Sequence, residues 1–178
     1  MIVENQTVAA KTEERDEVDD IVELWQKVIP DLDPAVEGIV DRIQWLDKKL
    51  NKSMEETLAE AGLGLELGEW KTLSHLRRAG EPYRLSAGKL AKRSNLSTGA
   101  MTNRLDRLEA AGFVRRLSDP ADRRSVLVEL TPKGRTVWDE TTNVQAGKEA
   151  LLASALTERE KEQLNKLLRR LMLAFEEH

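Results

Sequence analysis

Apolar residues along most of this chain recur at spacings of three and four positions, which is the periodicity of one face of an α-helix. Helices are predicted over residues 12–29, 34–60, 66–79, 132–153 and from about 157 onward. The last helix has the most regular stripe, which consists of Leu164, Leu167, Leu168, Leu171, Met172 and Phe175. The chain is therefore predicted to be mainly α-helical. Residues 1–11 show no apolar period and are predicted to be a disordered N-terminus.

Residue types at three predicted helix starts support these limits. Asp33 is followed by Pro34, which places a capping side chain before a proline at the first helical position. Thr131 is followed by a proline in the same way. Thr157 and Glu160 have the spacing of a capping box, in which each side chain accepts from the other residue's backbone N–H.

The stretch of residues 85–135 has a different organisation, with two short helices separated by a turn and followed by two short strands. The apolar face of the first helix consists of Leu85, Leu90 and Ala91. Ser97 is the predicted N-cap of the second helix. The stripe of that helix consists of Met101, Leu105 and Leu108. At about 100° per residue, the opposite face carries Gly99, Thr102, Asn103 and Asp106, with Thr98 and Arg107 on its flanks.

The polar face of this second helix has the residue types that a helix in the major groove of DNA requires. Small residues let the backbone approach, and hydroxyl and amide groups reach base edges. The N-terminus of the helix favours phosphate. The residues predicted to bind DNA from this helix are Ser97, Thr98, Gly99, Thr102, Asn103 and Arg107.

Two strands are predicted after this helix, over residues 114–117 and 125–130. The residues that alternate on one side of the second strand are Val126, Val128 and Leu130. The loop between the strands carries two cations near its tip, Arg123 and Arg124. The alternative interpretation is a helical pair with a β-hairpin that binds nothing.

The distribution of charge argues against that alternative. The net charge is −4, but residues 71–135 hold 15 Lys and Arg against 6 Asp and Glu, a balance of +9. The rest of the chain holds 13 basic and 26 acidic residues, a balance of −13. Positive charge is therefore concentrated where the short helices and the strands lie, as phosphate binding requires. The acidic remainder must have another role.

Composition excludes several classes of function. The 178 residues include no cysteine, which excludes disulfides, thiolate metal sites and thiol-based redox sensing. No run of 18 apolar residues and no signal-peptide pattern occurs, so a soluble, cytoplasmic protein with no membrane partner is predicted. Catalytic motifs are missing, and the two histidines, His75 and His178, are interpreted as structural or solvated. We therefore predict no enzyme activity, no metal and no cofactor.

The segment LSTGAMTNRLDRLEAAGFVRR is followed closely by DPADRRSVLVELTPKGR. Together they resemble the recognition helix and the wing of the MarR (multiple antibiotic resistance regulator) family. The residues that match the wing pattern are Asp122, Arg124, Leu130, Thr131 and Gly134. The resemblance implies a winged helix-turn-helix that binds double-stranded DNA. It also implies that Asp122 orients Arg124, and that this arginine, with Arg123, reaches the minor groove or its phosphates.

The same resemblance implies a homodimer, because family members dimerise through their N- and C-terminal helices. The expected organisation is a helical dimerisation region over residues 12–65 and 132–178, and a winged helix-turn-helix DNA-binding domain over residues 66–131. The long amphipathic stripes also favour a second copy of the chain, although packing of the helices on one another in a monomer is the alternative. A two-fold dimer would place its recognition helices about 34–36 Å apart and would read an inverted repeat.

Family members often bind a small anionic or phenolic effector, and a urate-responsive subgroup has an added N-terminal helix that carries a tryptophan. The counterparts of that tryptophan and of two subgroup arginines are Trp25, Arg104 and Arg116. Lys71 stands where the subgroup has an aspartate, which disfavours urate and favours another carboxylate or phenolate. Trp45 lies off the stripe of its helix and is expected to face a partner or a pocket. The alternative is that Trp25 belongs to the core and Arg104 to a structural ion pair.

The function predicted from these features is a DNA-binding transcriptional regulator, a repressor that a small effector releases. The alternative is a helical protein-interaction module that keeps the winged fold without an effector response. The salt dependence of DNA binding separates the two. A DNA-binding protein releases counterions from DNA, so its affinity falls steeply as the salt concentration rises.

Overall fold

The computed structural model describes residues 15–120 and 125–176, which form seven α-helices and three β-strands. The predicted disorder of residues 1–11 falls outside this part of the chain. In chain order the elements are α1 (Glu17–Val28), α2 (Pro34–Glu60), α3 (Leu67–Arg77), β1 (Arg84–Ser86), α4 (Ala87–Arg93), α5 (Thr98–Ala110), β2 (Val114–Ser118), β3 (Val126–Leu130), α6 (Pro132–Ala153) and α7 (Glu158–Glu176). The fold is mainly α with a small β-wing, as predicted.

The described residues divide into two compact units, one that ends at Leu50 and one that begins at Asn51. In the first unit, the Arg42 guanidinium of α2 donates to Asp16 at 2.8 Å and to Asp19 at 2.6 Å. Asp16 also caps α1 by accepting from the backbone N–H of Val18 at 2.9 Å. This cap places the start of α1 at Glu17, later than the predicted position 12, because residues 15 and 16 precede the helix.

The second unit contains a core to which the end of α2, helices α3 to α6 and the sheet all contribute. Its most deeply buried residues include Leu58, Leu73, Leu76, Leu90, Met101, Leu105, Leu108 and Val128. The predicted stripe of α5 therefore faces this core, and so do Leu73 and Leu76 of α3. Helices α3 to α6 are therefore positioned by apolar packing and not by surface contacts alone.

Helix α6 is fixed to α3 by two tryptophans. The rings of Trp70 and Trp138 stack with centroids 6.2 Å apart and planes inclined by 15°. Each indole N–H also has an acceptor on the other helix: Trp70 donates to Thr141 Oγ1 at 3.0 Å, and Trp138 donates to Ser74 Oγ at 2.7 Å. Because their polar groups are satisfied, these large side chains lie between the helices without an unpaired donor.

The three strands form an antiparallel sheet in the order β1-β3-β2. The prediction that Leu85 belongs to the first short helix is wrong, because this residue lies in β1 and pairs with Val128. Helix α4 begins at Ala87 instead, with Ser86 as its N-cap. A strand of three residues is too short to show a period of its own, so it is recognised only through its partner strand.

Most other helix starts agree with the capping patterns. Ser97 accepts from the backbone N–H of Ala100 at 3.2 Å, and Thr131 accepts from that of Gly134 at 3.0 Å. The capping box at the start of α7 is present, since the Thr157 N–H donates to Glu160 at 2.8 Å. The predicted starts at Pro34 and Pro132 are confirmed.

Candidate nucleic-acid interface

Helix α5 has one buried face and one face open to solvent. Met101, Leu105 and Leu108 are almost fully buried, as the spacing predicts. At the N-terminal half of the helix, the exposed residues of the predicted contact face and its N-cap are Ser97, Thr98, Gly99, Thr102 and Asn103. The structure therefore brings the small and polar residues of the predicted contact face together at the N-terminal half of the helix.

Gly99 is an open position on this face. No atom lies within 4 Å of the point that a Cβ would occupy there. The Thr102 hydroxyl donates to the Thr98 carbonyl at 2.9 Å, and its oxygen remains on the exposed side as an acceptor. The surface is thus shallow and offers hydrogen-bonding groups, as contact with base edges in a groove requires.

Arg107 is engaged away from the exposed N-terminal half of α5. Its Nε donates to Glu69 Oε1 at 2.6 Å, and its Nη2 donates to Glu66 Oε2 at 3.3 Å. The nearby Glu69 carboxylate raises the pKa of the Arg107 guanidinium further above its ordinary value. Sequence spacing predicts that Arg107 lies on the flank of the contact face, but it does not indicate these partners in α3 and at its N-cap.

The described residues include the base of the wing. Strands β2 and β3 pair from Val114 and Leu130 to Ser118 and Val126, where the loop begins. The tip residues assigned to the minor groove, Asp122, Arg123 and Arg124, lie outside the described residues. Their role stays a prediction from the sequence.

The outer face of the sheet carries an ion-pair cluster that the sequence did not reveal. Glu129 in the central strand lies in register with Arg84 of β1 and Arg115 of β2. Its side chain is only 8% exposed, and it accepts hydrogen bonds from both guanidiniums. Arg84 and then Arg115 hold the pKa of Glu129 below its ordinary value, although burial alone would raise it. Strand alternation could have marked Glu129 as outward-facing, but its partners depend on the register of three strands.

The two candidate effector arginines make separate contacts. Arg104 lies against α3, where its Nη1 is 3.5 Å from Thr72 Oγ1. Arg116 pairs with Asp106 at 2.7 Å and with Glu109 at 2.8 Å, and it joins β2 to α5. The alternative of a structural ion pair therefore describes Arg116 better than Arg104.

Lys71, which stands in place of the subgroup's aspartate, is exposed on α3. Its ammonium group donates to Asn51 Oδ1 at 2.8 Å. This contact connects α3 with the α2 segment of the same compact unit. The Lys71 ammonium group therefore remains a cation on the surface of α3.

The two candidate effector tryptophans belong to the unit of residues 1–50. Trp25 is 46% exposed, which contradicts the alternative that it is a core residue of the single chain. Trp45 is 42% exposed and carries Lys49 Nζ at 4.7 Å from its ring centroid. Trp45 also borders a cavity of about 690 Å³.

Two negative findings apply to residues 15–120 and 125–176. Among the helices of that part of the chain, none combines the length and the apolar character that crossing a membrane requires. The same residues contain no group of three or more histidine, aspartate or glutamate side chains arranged to hold a metal ion.

Sequence comparison identifies relatives of this chain. Residues 65–126 match the model of the MarR family. The chain is 31% identical over 154 residues to the HTH-type transcriptional regulator PecS of Dickeya dadantii, covering 86% of this chain and 92% of that protein. It is 34% identical over 123 residues to the HTH-type transcriptional repressor YetL of Bacillus subtilis, covering 69% of this chain and 72% of that protein.

Structural comparison agrees with these matches. A cysteine-to-serine mutant of MarR from E. coli, crystallised with operator DNA, superposes with a TM-score of 0.64 at 28% identity. The match covers 83% of this chain and 97% of that structure. Wild-type E. coli MarR in its apo form gives a TM-score of 0.63, covering 74% and 93% of the two chains. The predicted winged helix-turn-helix fold is therefore confirmed.

Proposed function

This chain belongs to the MarR family, and from that premise we propose that it is a sequence-specific DNA-binding transcriptional regulator. The observation that carries the proposal is the exposed N-terminal half of α5, which presents small and hydrogen-bonding residues above a fully buried stripe. The concentration of positive charge in residues 71–135 supports the same conclusion, because phosphate binding supplies much of the affinity for DNA.

Base reading is assigned to four residues of α5, namely Thr98, Gly99, Thr102 and Asn103. Asn103 is the most informative of them, because an amide can make a bidentate contact with adenine. Ser97 caps the N-terminus of the helix, where free backbone N–H groups favour phosphate. Exposed cations on α4, Lys89, Lys92 and Arg93, supply further phosphate contacts beside this helix.

The protein acts as a homodimer on an inverted repeat. The apolar stripe of α2 is buried at Met54 and Leu58 but exposed from Val36 to Leu50, and the stripe of α7 is exposed along its length. Apolar surface of this extent is unfavourable in water, and a second copy of the chain is the simplest source of cover. Two recognition helices related by a two-fold axis would then lie about 34–36 Å apart.

A small anionic or phenolic effector releases this repressor from its operator. Arg104 is the first candidate contact for an anionic ligand. This guanidinium is half-buried, and among its described contacts it makes a single hydrogen bond, a long one to Thr72. The exposed Lys71 adds a second cation on α3. Trp25, Trp45 and Arg116 complete the candidate set. The test is a titration with aromatic acids, in which an unchanged melting temperature and an unchanged DNA affinity would remove the effector from the proposal.

The central experiment is a selection of genomic fragments with the purified protein, followed by a binding titration of the selected site. We expect an inverted repeat, nanomolar-range affinity and a steep decrease in affinity with salt. Asn103→Ala should cost about 1–3 kcal/mol at the selected site and little on scrambled DNA. A shallow salt slope with equal binding to all sequences would instead favour the protein-interaction module.

Arg124→Ala tests the wing, whose role rests on the sequence pattern. The variant should bind its operator more weakly while the oligomeric state is unchanged, because a minor-groove or phosphate contact is lost at each wing. Gel-shift titration measures the affinity, and sedimentation measures the oligomeric state. Unchanged operator binding would exclude Arg124 from the interface.

A further inference from the structure

One carboxylate in α3 serves two helices at once. The Glu69 side chain is only 5% exposed, so its charge must be satisfied within the protein. Its Oε2 accepts from the backbone N–H of Glu66, at 3.0 Å, in the capping box of α3. Its Oε1 accepts from Arg107 Nε of the recognition helix at 2.6 Å. From this geometry we infer that Glu69 is a positioning residue, which sets the orientation of α5 through Arg107.

A second contact at the same turn of α3 supports this role. The Arg104 guanidinium packs on Gly68, where an added Cβ would stand 2.6 Å from Nη2. The same side chain reaches Thr72 one turn later. The first two turns of α3 therefore hold α5 through two arginines, and only one of them, Arg107, has a buried carboxylate as its partner.

The position of Arg107 along α5 explains why its anchor affects base reading. Arg107 follows Gly99 by eight residues, which is about 12 Å along the helix at about 1.5 Å per residue. A small rotation of α5 about this anchor therefore moves the side chains of its N-terminal half relative to the DNA. Hydrogen bonds to base edges weaken steeply with such errors in distance and angle.

Glu69 also lies on a helix that is fixed from the other side. Trp70 and Ser74 of α3 bond to Thr141 and Trp138 of α6. Helix α3 thus joins α6 to the recognition helix, and Glu69 supplies the buried carboxylate among its contacts with α5. This inference rests on the proposed DNA-binding function and adds to it a residue outside the contact surface.

The competing assignment is that Arg107 itself binds DNA. In that case its guanidinium would leave a nearly buried carboxylate without its cation, which is strongly unfavourable. A direct phosphate contact and a positioning role also differ in salt dependence. Loss of a phosphate contact reduces the magnitude of the negative slope of log affinity against log salt by about 0.9. Loss of positioning leaves that slope unchanged.

The test uses the full-length variants Arg107→Gln, Glu69→Gln and their combination, with affinity measured on the selected operator and on scrambled DNA across salt. We expect each single variant to lower the ratio of operator to scrambled affinity at least tenfold, with an unchanged salt slope. The double variant should lose no more than the worse single variant, because both remove one interaction. Arg107→Lys, which keeps a donor for Glu69, should restore the ratio to within about threefold.

Arg93→Gln is the matched control, since it removes the same charge from the exposed surface of α4. It should lower the salt slope and weaken binding to both DNAs equally. A reduced slope in Arg107→Gln, or an unchanged ratio with only a lower melting temperature, would overturn the positioning role. Wild-type protein that does not distinguish operator from scrambled DNA would overturn the proposed function as well, so the two failures are distinguishable.

Discussion

Gly99 occupies the solvent side of the recognition helix without any structural requirement for glycine. Its backbone is helical, and a Cβ at this position would meet no atom within 4 Å. Glycine inside a helix costs about 0.5–1 kcal/mol relative to alanine. The fold therefore does not require glycine at this open position, which fits the proposed close approach of DNA to the α5 backbone.

Gly99→Ala is expected to separate stability from function. The free energy of unfolding should rise by up to about 1 kcal/mol, while operator affinity should fall by roughly 1–3 kcal/mol because the methyl group occupies the space at the groove. Denaturant unfolding and gel-shift titration measure the two quantities. Gly88→Ala in α4 is the control, since that glycine is also open and should change stability alone. Equal operator binding by Gly99→Ala and wild type would contradict this explanation.

The sequence predicts the local roles of single residues, but it does not predict their long-range roles. The N-caps Ser97 and Thr131 follow from residue types within a few positions of each helix start. The role of Arg107 does not, because its partner Glu69 lies 38 residues earlier in the chain. Periodicity assigns such a side chain to a helix face, but it does not show which residue of another helix that face meets.

The same limit appears for the small sheet. Strands β2 and β3 have enough residues to be recognised, whereas β1 has three, and the sequence pattern assigns its Leu85 to a helix. The cluster of Arg84, Glu129 and Arg115 exists only because β1 joins the sheet. Strand pairing therefore creates a buried charge that the sequence of any one strand does not indicate.

Glu129→Gln should destabilise the protein in a pH-dependent way. Arg84, followed by Arg115, holds the pKa of Glu129 in the folded protein below the ordinary value of 4.5. A carboxyl group with a depressed pKa stabilises the fold above about pH 4.5, and this contribution is lost as pH falls through the folded-state pKa. The variant should therefore be less stable than wild type by roughly 1–3 kcal/mol at pH 7, and the difference should shrink below pH 4.

Denaturant unfolding at several pH values measures this difference, and Glu140→Gln on the exposed surface of α6 is the control. A constant difference from pH 3 to pH 7 would show that Glu129 acts through packing alone. The ion pairs would then have no part in joining β1 to the sheet.

Charge and exposed apolar surface are distributed unequally along the chain. Basic residues are concentrated in residues 71–135, and the acidic remainder includes helices with exposed apolar stripes. The sequence predicts these helices well because each stripe is a local pattern. It does not identify what covers them, because that surface is not provided by the same element, and several of these residues are more than 40% exposed in the single chain.

The double variant Leu167→Glu with Leu171→Glu tests whether a second copy covers α7. Both leucines lie on its exposed stripe, so burying two carboxylates in a dimer interface should be strongly unfavourable. We expect a monomer in sedimentation experiments and at least a hundredfold loss of operator affinity, because a monomer engages only one half-site. A single half-site should be bound as by wild-type protein, since α5 and the core of its unit are unchanged.

Lys166→Glu is the matched control, because it changes the net charge by the same −2 but lies on the opposite side of α7. This variant should remain a dimer and keep its operator affinity. If the double variant also remains a dimer, the stripe of α7 is not the interface, and the spacing of the two recognition helices must be set by the exposed faces of α1 and α2. If it becomes a monomer and still binds the full operator as tightly as wild type, the inverted repeat is not read by two copies. Only the combination of dissociation and lost operator affinity fits a dimer whose terminal helices set the distance between its two recognition helices.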